Sequence, residues 1–273
     1  MLRSRLITAL LLGALFLGAL YSLSDLWWAL FLLLFIVVGA WEWGGLSGFC
    51  GVDRSLFAGM TAIAGLLLLP GIPDFEPVRH WGAVLLTSGA AVFWVLIAPL
   101  WLLRRWHLRH RVLAILVGLL LLLPPWLALV DLRRIGPEAV LVVMLTVALA
   151  DSAAYFSGKR FGRHKLAPEI SPGKTWEGLA GAMAAVSVFA VGLCIFRGWS
   201  FWFVVGFLAL TILSVMGDLF ESLVKRQAGK KDSGTILPGH GGVLDRIDGL
   251  TSTLPLAAFF AYFPYFLDVA IVR

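Results

Sequence analysis

The sequence predicts an all-α, polytopic integral membrane protein with about nine transmembrane helices and a cytoplasmic N-terminus. Of its 273 residues, 60% are hydrophobic and only 14% are charged, which gives far more apolar surface than one soluble core could bury. Apolar runs of roughly 17 residues or more recur along the whole chain, and each could cross a hydrocarbon layer of about 30 Å as a helix. Composition and run length together therefore indicate a multi-pass membrane protein.

The apolar runs define the predicted helices in order. The proposed spans are 6–23, 26–42, 55–72, 82–102, 112–130, 138–157, 177–196, 200–220 and 249–270. The first run follows Arg3 and Arg5, as the apolar part of a signal peptide would. Because further spans follow it, we favour a retained membrane anchor.

The basic residues orient these helices. All but five of the 22 Lys and Arg residues fall in the N-terminus or in the even-numbered loops. The five on the opposite side are Arg79, Arg133, Arg134, Arg197 and Arg273. The positive-inside rule then places the N-terminus and the large basic loops in the cytoplasm. The net charge of +6 thus reflects topology, and we predict no nucleic-acid partner.

Polar residues concentrate in the second half of the chain. We divide it into an N-terminal transmembrane region, 1–135, with about five helices, and a C-terminal transmembrane catalytic region, 136–273. The second region carries the two longest loops, 158–176 and 221–248, both predicted to be cytoplasmic. An active site is best sought in these loops. Short loops and the lack of an organelle-targeting segment favour a bacterial inner (cytoplasmic) membrane.

Two acidic residues lie at the ends of predicted helices. Asp151 is near the end of span six and Asp218 is near the end of span eight. A carboxylate at membrane depth costs about 2.5 to 3.5 kcal/mol on insertion scales unless it is paired or hydrated. The two acids could converge on one cation, or each could simply reach towards water from a helix end. Ser222 and Lys225 follow Asp218 at i+4 and i+7 and share its helix face.

A run of cations follows span eight. Lys225, Arg226, Lys230 and Lys231 lie within seven residues, and Asp232 interrupts the run. Taken alone, such a run is usually a solvated face. Beside acidic residues it could instead neutralise a phosphate-rich ligand.

A glycine-rich turn and two more acids complete the segment. The turn PGHGG contains His240, Gly241 and Gly242, and its backbone can approach an anion closely and donate N–H groups to it. Asp245 and Asp248 follow at i, i+3 spacing near the start of span nine. They could face one cavity or merely cap a helix.

These groups together suit a magnesium-bound polyphosphate, because Mg²⁺ prefers a few carboxylates plus phosphate oxygens while Lys and Arg neutralise the remaining charge. Other nucleotide and metal sites match less well. The stretch SPGKT at 171–175 imitates the end of a P-loop, but Pro168 stands where that motif needs glycine. The five His residues do not form a set with zinc-ligand spacing.

One long stretch resembles a known family. Residues 222–248, SLVKRQAGKKDSGTILPGHGGVLDRID, resemble the signature of phosphatidate cytidylyltransferases, also called CDP-diacylglycerol synthases. The segments SPGKTWEG at 171–178, DSAAYFSGKRFG at 151–162 and AWEWGGLSG at 40–48 are also similar to family segments. The N-terminal half matches mainly in hydrophobic character.

The resemblance implies a reaction and a set of site residues. CTP and phosphatidic acid would give CDP-diacylglycerol and pyrophosphate by Mg²⁺-dependent in-line attack of the lipid phosphate on the α-phosphorus of CTP. The implied catalytic residues are Asp218, Asp245, Lys225, Asp248 and Asp151, and Asp218 and Asp245 would hold Mg²⁺, with a second cation nearby. The implied substrate-binding residues are Ser222, Arg226, Lys230, Lys231, His240, Gly241, Gly242, Arg246, Ser171 and Lys174. Membrane lipids are further partners, and the family suggests a homodimer.

Two other classes stay open on the sequence alone. An alcohol phosphatidyltransferase would use related substrates, but its Asp-Gly-x-x-Ala-Arg pattern is absent, since 248–253 reads DGLTST. A transporter or channel could also have nine spans and intramembrane acids. Such a protein usually places polar groups near the bilayer midplane, whereas the predicted acids and cations here gather at one face.

Overall fold

A computed structural model describes the backbone of residues 2–72, 76–236 and 241–271, and the side chains of residues 10–72, 76–236 and 241–260. Most of this part is helical, which confirms the all-α class. The helices are α1 Leu2–Ser22, α2 Asp25–Leu46, α3 Gly51–Leu67, α4 Glu76–Val92, α5 Ala98–Arg104, α6 Arg111–Ile135, α7 Pro137–Phe161, α8 Trp176–Arg197, α9 Trp202–Gln227 and α10 Leu244–Ile271. A π-helical turn, Phe93–Ile97, joins α4 to α5 in one continuous helix.

Every predicted span overlaps one of these helical stretches. In the described part of the chain, six are long and apolar enough to cross a membrane: Asp25–Leu46, Glu76–Arg104, Arg111–Ile135, Pro137–Phe161, Trp176–Arg197 and Trp202–Gln227. A membrane protein with several spans is therefore supported, while the count of nine and the cytoplasmic N-terminus stay predictions. The end of the third span was placed too late, because α3 ends at Leu67. Pro70 and Gly71 follow, and they favour a turn over a further helical turn.

Buried tryptophans fasten α2 to α6. The indole N–H of Trp43 donates to the Ala114 carbonyl at 2.9 Å, and that of Trp126 donates to the Ala29 carbonyl at 2.9 Å. A buried indole N–H needs an acceptor, so these bonds fix the register of the two helices as well as their separation. A side chain at Gly118 would collide with Trp43, which explains the glycine at this crossing.

Small residues bring the helices of the C-terminal region close together. A Cβ atom at Gly181 of α8 would lie 2.0 Å from the Ser157 hydroxyl of α7, and one at Gly217 of α9 would lie 2.4 Å from the Asp248 carbonyl of α10. Glycine allows such backbone approach between membrane helices. The second crossing brings the helix turns of Asp218 and Asp248 next to each other.

The loop after α7 folds into a short hairpin that the sequence did not predict. Strands β1, Lys165–Ala167, and β2, Ser171–Thr175, pair antiparallel. The Thr175 hydroxyl accepts a hydrogen bond from the Gly178 N–H at 3.1 Å and caps α8 directly after β2. The hairpin thereby places Lys174 beside the helix that carries Asp218.

Candidate functional site

The end of α9 carries a buried triad of charges. The Lys225 Nζ atom donates to the Glu221 Oε2 atom at 2.7 Å and to the Asp245 Oδ1 atom at 2.7 Å. The side chains of Lys225, Glu221 and Asp245 are 12%, 8% and 5% exposed. Glu221 precedes Lys225 by one helical turn, while Asp245 comes from the first turn of α10. The ammonium group therefore ties the two helices together.

The second oxygen of Asp245 organises the turn before α10. Its Oδ2 atom accepts hydrogen bonds from the Ser233 N–H at 2.9 Å, the Ser233 hydroxyl at 3.0 Å and the Gly242 N–H at 2.8 Å. Burial alone would raise the pKa of Asp245, but the hydrogen bonds from Lys225, Gly242 and Ser233 outweigh it and lower that pKa. Asp245 is therefore a firmly held carboxylate whose two oxygens already have donors.

Glu42 of α2 is a site residue that the sequence analysis missed. This side chain is fully buried, and its Oε1 atom accepts from the Val243 N–H at 3.0 Å. Its Oε2 atom accepts from the Leu244 N–H at 2.9 Å and from the Ser233 hydroxyl at 3.1 Å. Glu42 thus satisfies free N–H groups at the start of α10 and places negative charge at the positive end of that helix.

Two glycines of the signature leave room for the Glu42 carboxylate. A Cβ atom at Gly234 would lie 2.4 Å from the Glu42 Oε1 atom, and one at Gly242 would lie 2.5 Å from both Glu42 oxygens. These glycines are therefore required by contact with a side chain about 200 residues away in sequence. One feature of the sequence could have identified Glu42: it is a single acidic residue within the apolar, tryptophan-rich segment at 40–48.

A second lysine–carboxylate pair lies about two helical turns before Lys225 on α9. The Lys174 Nζ atom contacts the Asp218 Oδ2 atom at 2.6 Å and donates to the Val215 carbonyl at 3.3 Å. The Ser222 hydroxyl donates to the Asp218 Oδ1 atom at 3.2 Å, which confirms that Ser222 and Asp218 share a helix face. Lys174 is 21% exposed and Asp218 is 34% exposed, so this pair is more open than the buried triad.

Asp151 and Asp248 lie within electrostatic range of Asp218. Both also interact electrostatically with Lys174, and Asp248 interacts with Lys225 as well. Among the described side chains, Asp151 and Asp248 form no ion pair of their own, and the Asp248 Oδ1 atom accepts a hydrogen bond from the Gly249 N–H at 2.8 Å. The structure thus gathers three predicted catalytic acids, Asp151, Asp218 and Asp248, within electrostatic range of Lys174.

The remaining predicted binding residues are more dispersed. The Lys230 Nζ atom donates to the Gly45 carbonyl at 2.9 Å and connects the loop to α2. Arg226 and Lys231 are exposed, and Ser171 starts β2 opposite Ala167. Arg246 points to an apolar groove on another face of α10. Gly241 and Gly242 form the turn that binds Asp245, and His240 lies outside the described residues.

The acids suit Mg²⁺ only in combination with a phosphate. In the described ranges, no three His, Cys, Asp or Glu side chains are arranged to hold a metal ion. Mg²⁺ commonly takes one or two carboxylates and completes its shell with phosphate oxygens and water. The partly exposed Asp218 carboxylate, with Asp151 and Asp248 nearby, supplies oxygen ligands of this kind. The donor set therefore fits a magnesium ion that arrives with a polyphosphate.

Comparison with known proteins gives consistent matches. The model of the cytidylyltransferase family matches residues 3–264. A Pseudomonas aeruginosa protein named phosphatidate cytidylyltransferase is 42% identical over 270 residues, covering 94% of this chain and 96% of its own. A Haemophilus influenzae protein of the same name is 34% identical over 294 residues, covering 98% and 100%. A Brucella suis protein of that name is 47% identical over 127 residues, covering 46% and 47%.

Proposed function

Since the chain belongs to the cytidylyltransferase family, together with enzymes named phosphatidate cytidylyltransferase, we propose that it transfers the cytidylyl group of CTP to phosphatidic acid. The products are CDP-diacylglycerol and pyrophosphate, and the product lipid serves phospholipid biosynthesis. The alignments with the Pseudomonas aeruginosa and Haemophilus influenzae relatives cover nearly the whole length of both proteins and nearly all of this chain. The similarity that supports the proposal therefore includes both the N-terminal and the C-terminal helices.

The observation that carries the proposal is the partly exposed pair of Lys174 and Asp218 beside Asp151 and Asp248, which form no ion pair with any described side chain. Lys174 can exchange a carboxylate for a phosphate more easily than a buried lysine could, because this pair is partly exposed and fully solvent-exposed ion pairs contribute only about 0 to 1 kcal/mol. Polyphosphate binding beside these acids then needs cations that offset their negative charge. Lys174 supplies one, and we expect Arg226 in the last turn of α9 and Lys230 and Lys231 in the following loop to contribute others.

We propose that Mg²⁺ binds with CTP, with Asp218 and Asp245 as its protein ligands. Asp218 is the more available of the two, because both oxygens of Asp245 already accept hydrogen bonds. Asp245 would reach the metal only by exchanging one of those donors. When bound, Mg²⁺ neutralises phosphate charge. A second cation has the carboxylates of Asp151 and Asp248 available to it.

The reaction needs no side-chain nucleophile. An oxygen of the lipid phosphate forms a bond to the α-phosphorus of CTP, the bond between the α-phosphorus and its bridging oxygen to the β-phosphate breaks, and pyrophosphate leaves with that electron pair. The protein contributes mainly position and charge, as in other phosphoryl transfers. Lys174 would steady the triphosphate, while Lys225 keeps α9 and α10 in register around it.

The setting of the reaction follows from the predicted topology. We propose a bacterial inner membrane location with the site facing the cytoplasm, where CTP is available and where the basic loops are expected. Phosphatidic acid would enter from the bilayer, and surrounding membrane lipids would cover the apolar helix faces. We also propose a homodimer, which rests on the family alone.

Product analysis tests the proposal. Purified protein is incubated with CTP labelled at the α-phosphate, phosphatidic acid and Mg²⁺, and the lipid extract is analysed by mass spectrometry. We expect label in CDP-diacylglycerol, no product when phosphatidic acid is omitted, and loss of product when EDTA removes the metal. Label that stays in the aqueous phase, with protein shown to be folded, would contradict the proposal.

A further inference from the structure

A long apolar groove runs along α10 on the side away from the acids. Its volume is about 450 Å³, within the range of about 300 to 1,000 Å³ typical of small-ligand sites. Helices α1, α2, α6 and α7 form its other walls, and hydrocarbon side chains make up nearly all of the lining. Thr251 adds a hydroxyl, but this group donates to the Asp248 carbonyl at 2.7 Å and offers the groove no free donor.

The first turns of α10 have two distinct faces. Asp245 points to Lys225 and Ser233, and Ser252 further along donates to the Leu213 carbonyl of α9. Arg246, Leu250 and Leu254 follow each other at steps of four residues and line the groove. Helix α10 thus presents Asp245 on one face and the groove lining on another. Both faces begin in its first turn.

Arg246 is the charged residue of the groove lining. Within the described residues its guanidinium group forms no salt bridge or side-chain hydrogen bond, and the side chain is exposed. A guanidinium group without a partner is well suited to a phosphate, which it can bind with two parallel hydrogen bonds. The groove therefore combines an apolar lining with one anion-binding group, which follows Asp245 directly in the sequence.

The length of the groove matches one leaflet of a bilayer. Lining residues of this segment extend from Val243 to Leu254, which corresponds to about 16 Å at about 1.5 Å per residue. Half of a hydrocarbon core of about 30 Å is about 15 Å, the depth that one acyl chain occupies. Leu15 and Leu145 in the walls are more than half exposed, so a chain can enter sideways from the membrane.

We propose that this groove binds one acyl chain of the lipid substrate, with Arg246 contacting the lipid phosphate at its cytoplasmic end. The proposal rests on the proposed function and adds a site for the substrate chain. It assigns part of substrate recognition to α1 and α2, in the N-terminal region. It also explains why Arg246, which has no ion pair among the side chains that the structure describes, directly follows the buried Asp245.

Two glycines of α1 provide a matched test. A Cβ atom at Gly13 or at Gly18 would have no neighbour within 4 Å, but only Gly13 lines the groove. We compare G13F with G18F, using phosphatidic acid with long chains and with six-carbon chains. For G13F we expect the KM for the long-chain lipid to rise about tenfold, the equivalent of roughly two methylene groups lost from an apolar site. Its KM for the short-chain lipid and for CTP should stay within about twofold of the wild-type values.

A second pair of variants makes the test independent of α1. Ala148→Phe narrows the groove from α7, and Ala184→Phe makes the same change at an exposed position of α8 that does not line it. If G13F and A148F behave like their controls, bulk lipid fills the groove and the proposal is wrong. An equal loss on both lipids would also overturn it. A wild-type protein without CTP-dependent activity would instead remove the proposed function itself.

Discussion

The two lysine–aspartate pairs of the site have the same chemistry and different surroundings. Lys225 and Asp245 are nearly buried, share their contacts with Glu221 and with a backbone turn, and connect α9 to α10. Lys174 and Asp218 are more exposed and lie beside Asp151 and Asp248, which form no ion pair within the described part of the chain. The comparison indicates that the first pair builds the site and that the second pair exchanges with substrate.

Burial decides between these roles. A charge taken out of water must keep its partner, because losing it leaves an uncompensated charge and costs about 3 to 5 kcal/mol. A solvent-exposed pair contributes only about 0 to 1 kcal/mol, since water replaces the lost contact, and a partly exposed pair lies nearer to that limit than a buried pair does. Stability measurements on matched variants should therefore distinguish the pairs even though both sets of variants lose activity.

The largest effect is expected from Lys225→Met. This change leaves Glu221 and Asp245 buried without their cation, so the free energy of unfolding should fall by about 3 to 5 kcal/mol. Denaturant unfolding of the detergent-solubilised protein measures it. A variant with wild-type stability would show that the triad is not a structural link.

Glu42→Gln should have an intermediate effect. The amide keeps the shape of the side chain but has one acceptor oxygen for the three donors that Glu42 binds, so we expect a loss of about 1 to 3 kcal/mol. Turnover should fall as well, because the turn that holds Asp245 loosens. The matched control is Glu169→Gln at an exposed ion pair with Arg105, which should change stability by less than about 0.5 kcal/mol. Equal stability of the two variants would argue against a capping role for Glu42.

Asp218→Asn should change stability less than the two preceding variants and still remove activity. The pair with Lys174 is partly exposed, so we expect a stability change of less than about 1 kcal/mol. Turnover should fall by at least about a hundredfold, as is typical when charge stabilisation of a transition state is lost. Unfolding curves and initial rates measured on the same preparation check the predicted stability and the predicted turnover. Retained turnover would remove Asp218 from the reaction.

Arg246→Gln sharpens the comparison at the lipid end of the site. Arg246 has no ion partner among the described residues, so its loss should leave stability within about 0.5 kcal/mol of the wild-type value. We expect a KM for phosphatidic acid about tenfold higher and an unchanged KM for CTP. Initial rates with each substrate varied in turn measure this. A matching rise in the KM for CTP would place Arg246 at the nucleotide instead.

Local patterns predicted the helices well and the contacts between them poorly. Apolar run length located a helix for every proposed span, because each run is a local property of the chain. The hairpin of β1 and β2 was missed, since its strands are only three and five residues long and lie in a polar loop. The predicted loop 158–176 correctly contained Lys174 but gave no sign that this residue reaches Asp218.

The site shows the same limit. The spacing of Asp218 and Ser222 predicted their shared face, because that contact lies within one helix. Glu42 lies about 200 residues before its partners, and no pattern in a single sequence specifies a contact at that distance. The two glycines that face Glu42 could be recognised as turn residues, but their steric reason depends on the packing of α2 against α10.

The most direct test of the account is pyrophosphate release by purified wild-type protein and by the Asp218→Asn variant, with phosphatidic acid and Mg²⁺, comparing CTP with UTP, ATP and GTP. We predict release by the wild-type protein with CTP alone, dependent on lipid and metal, and none above background by a variant that unfolds at the wild-type denaturant concentration. Pyrophosphate release from every nucleotide, or undiminished release by the Asp218→Asn variant, would contradict the account.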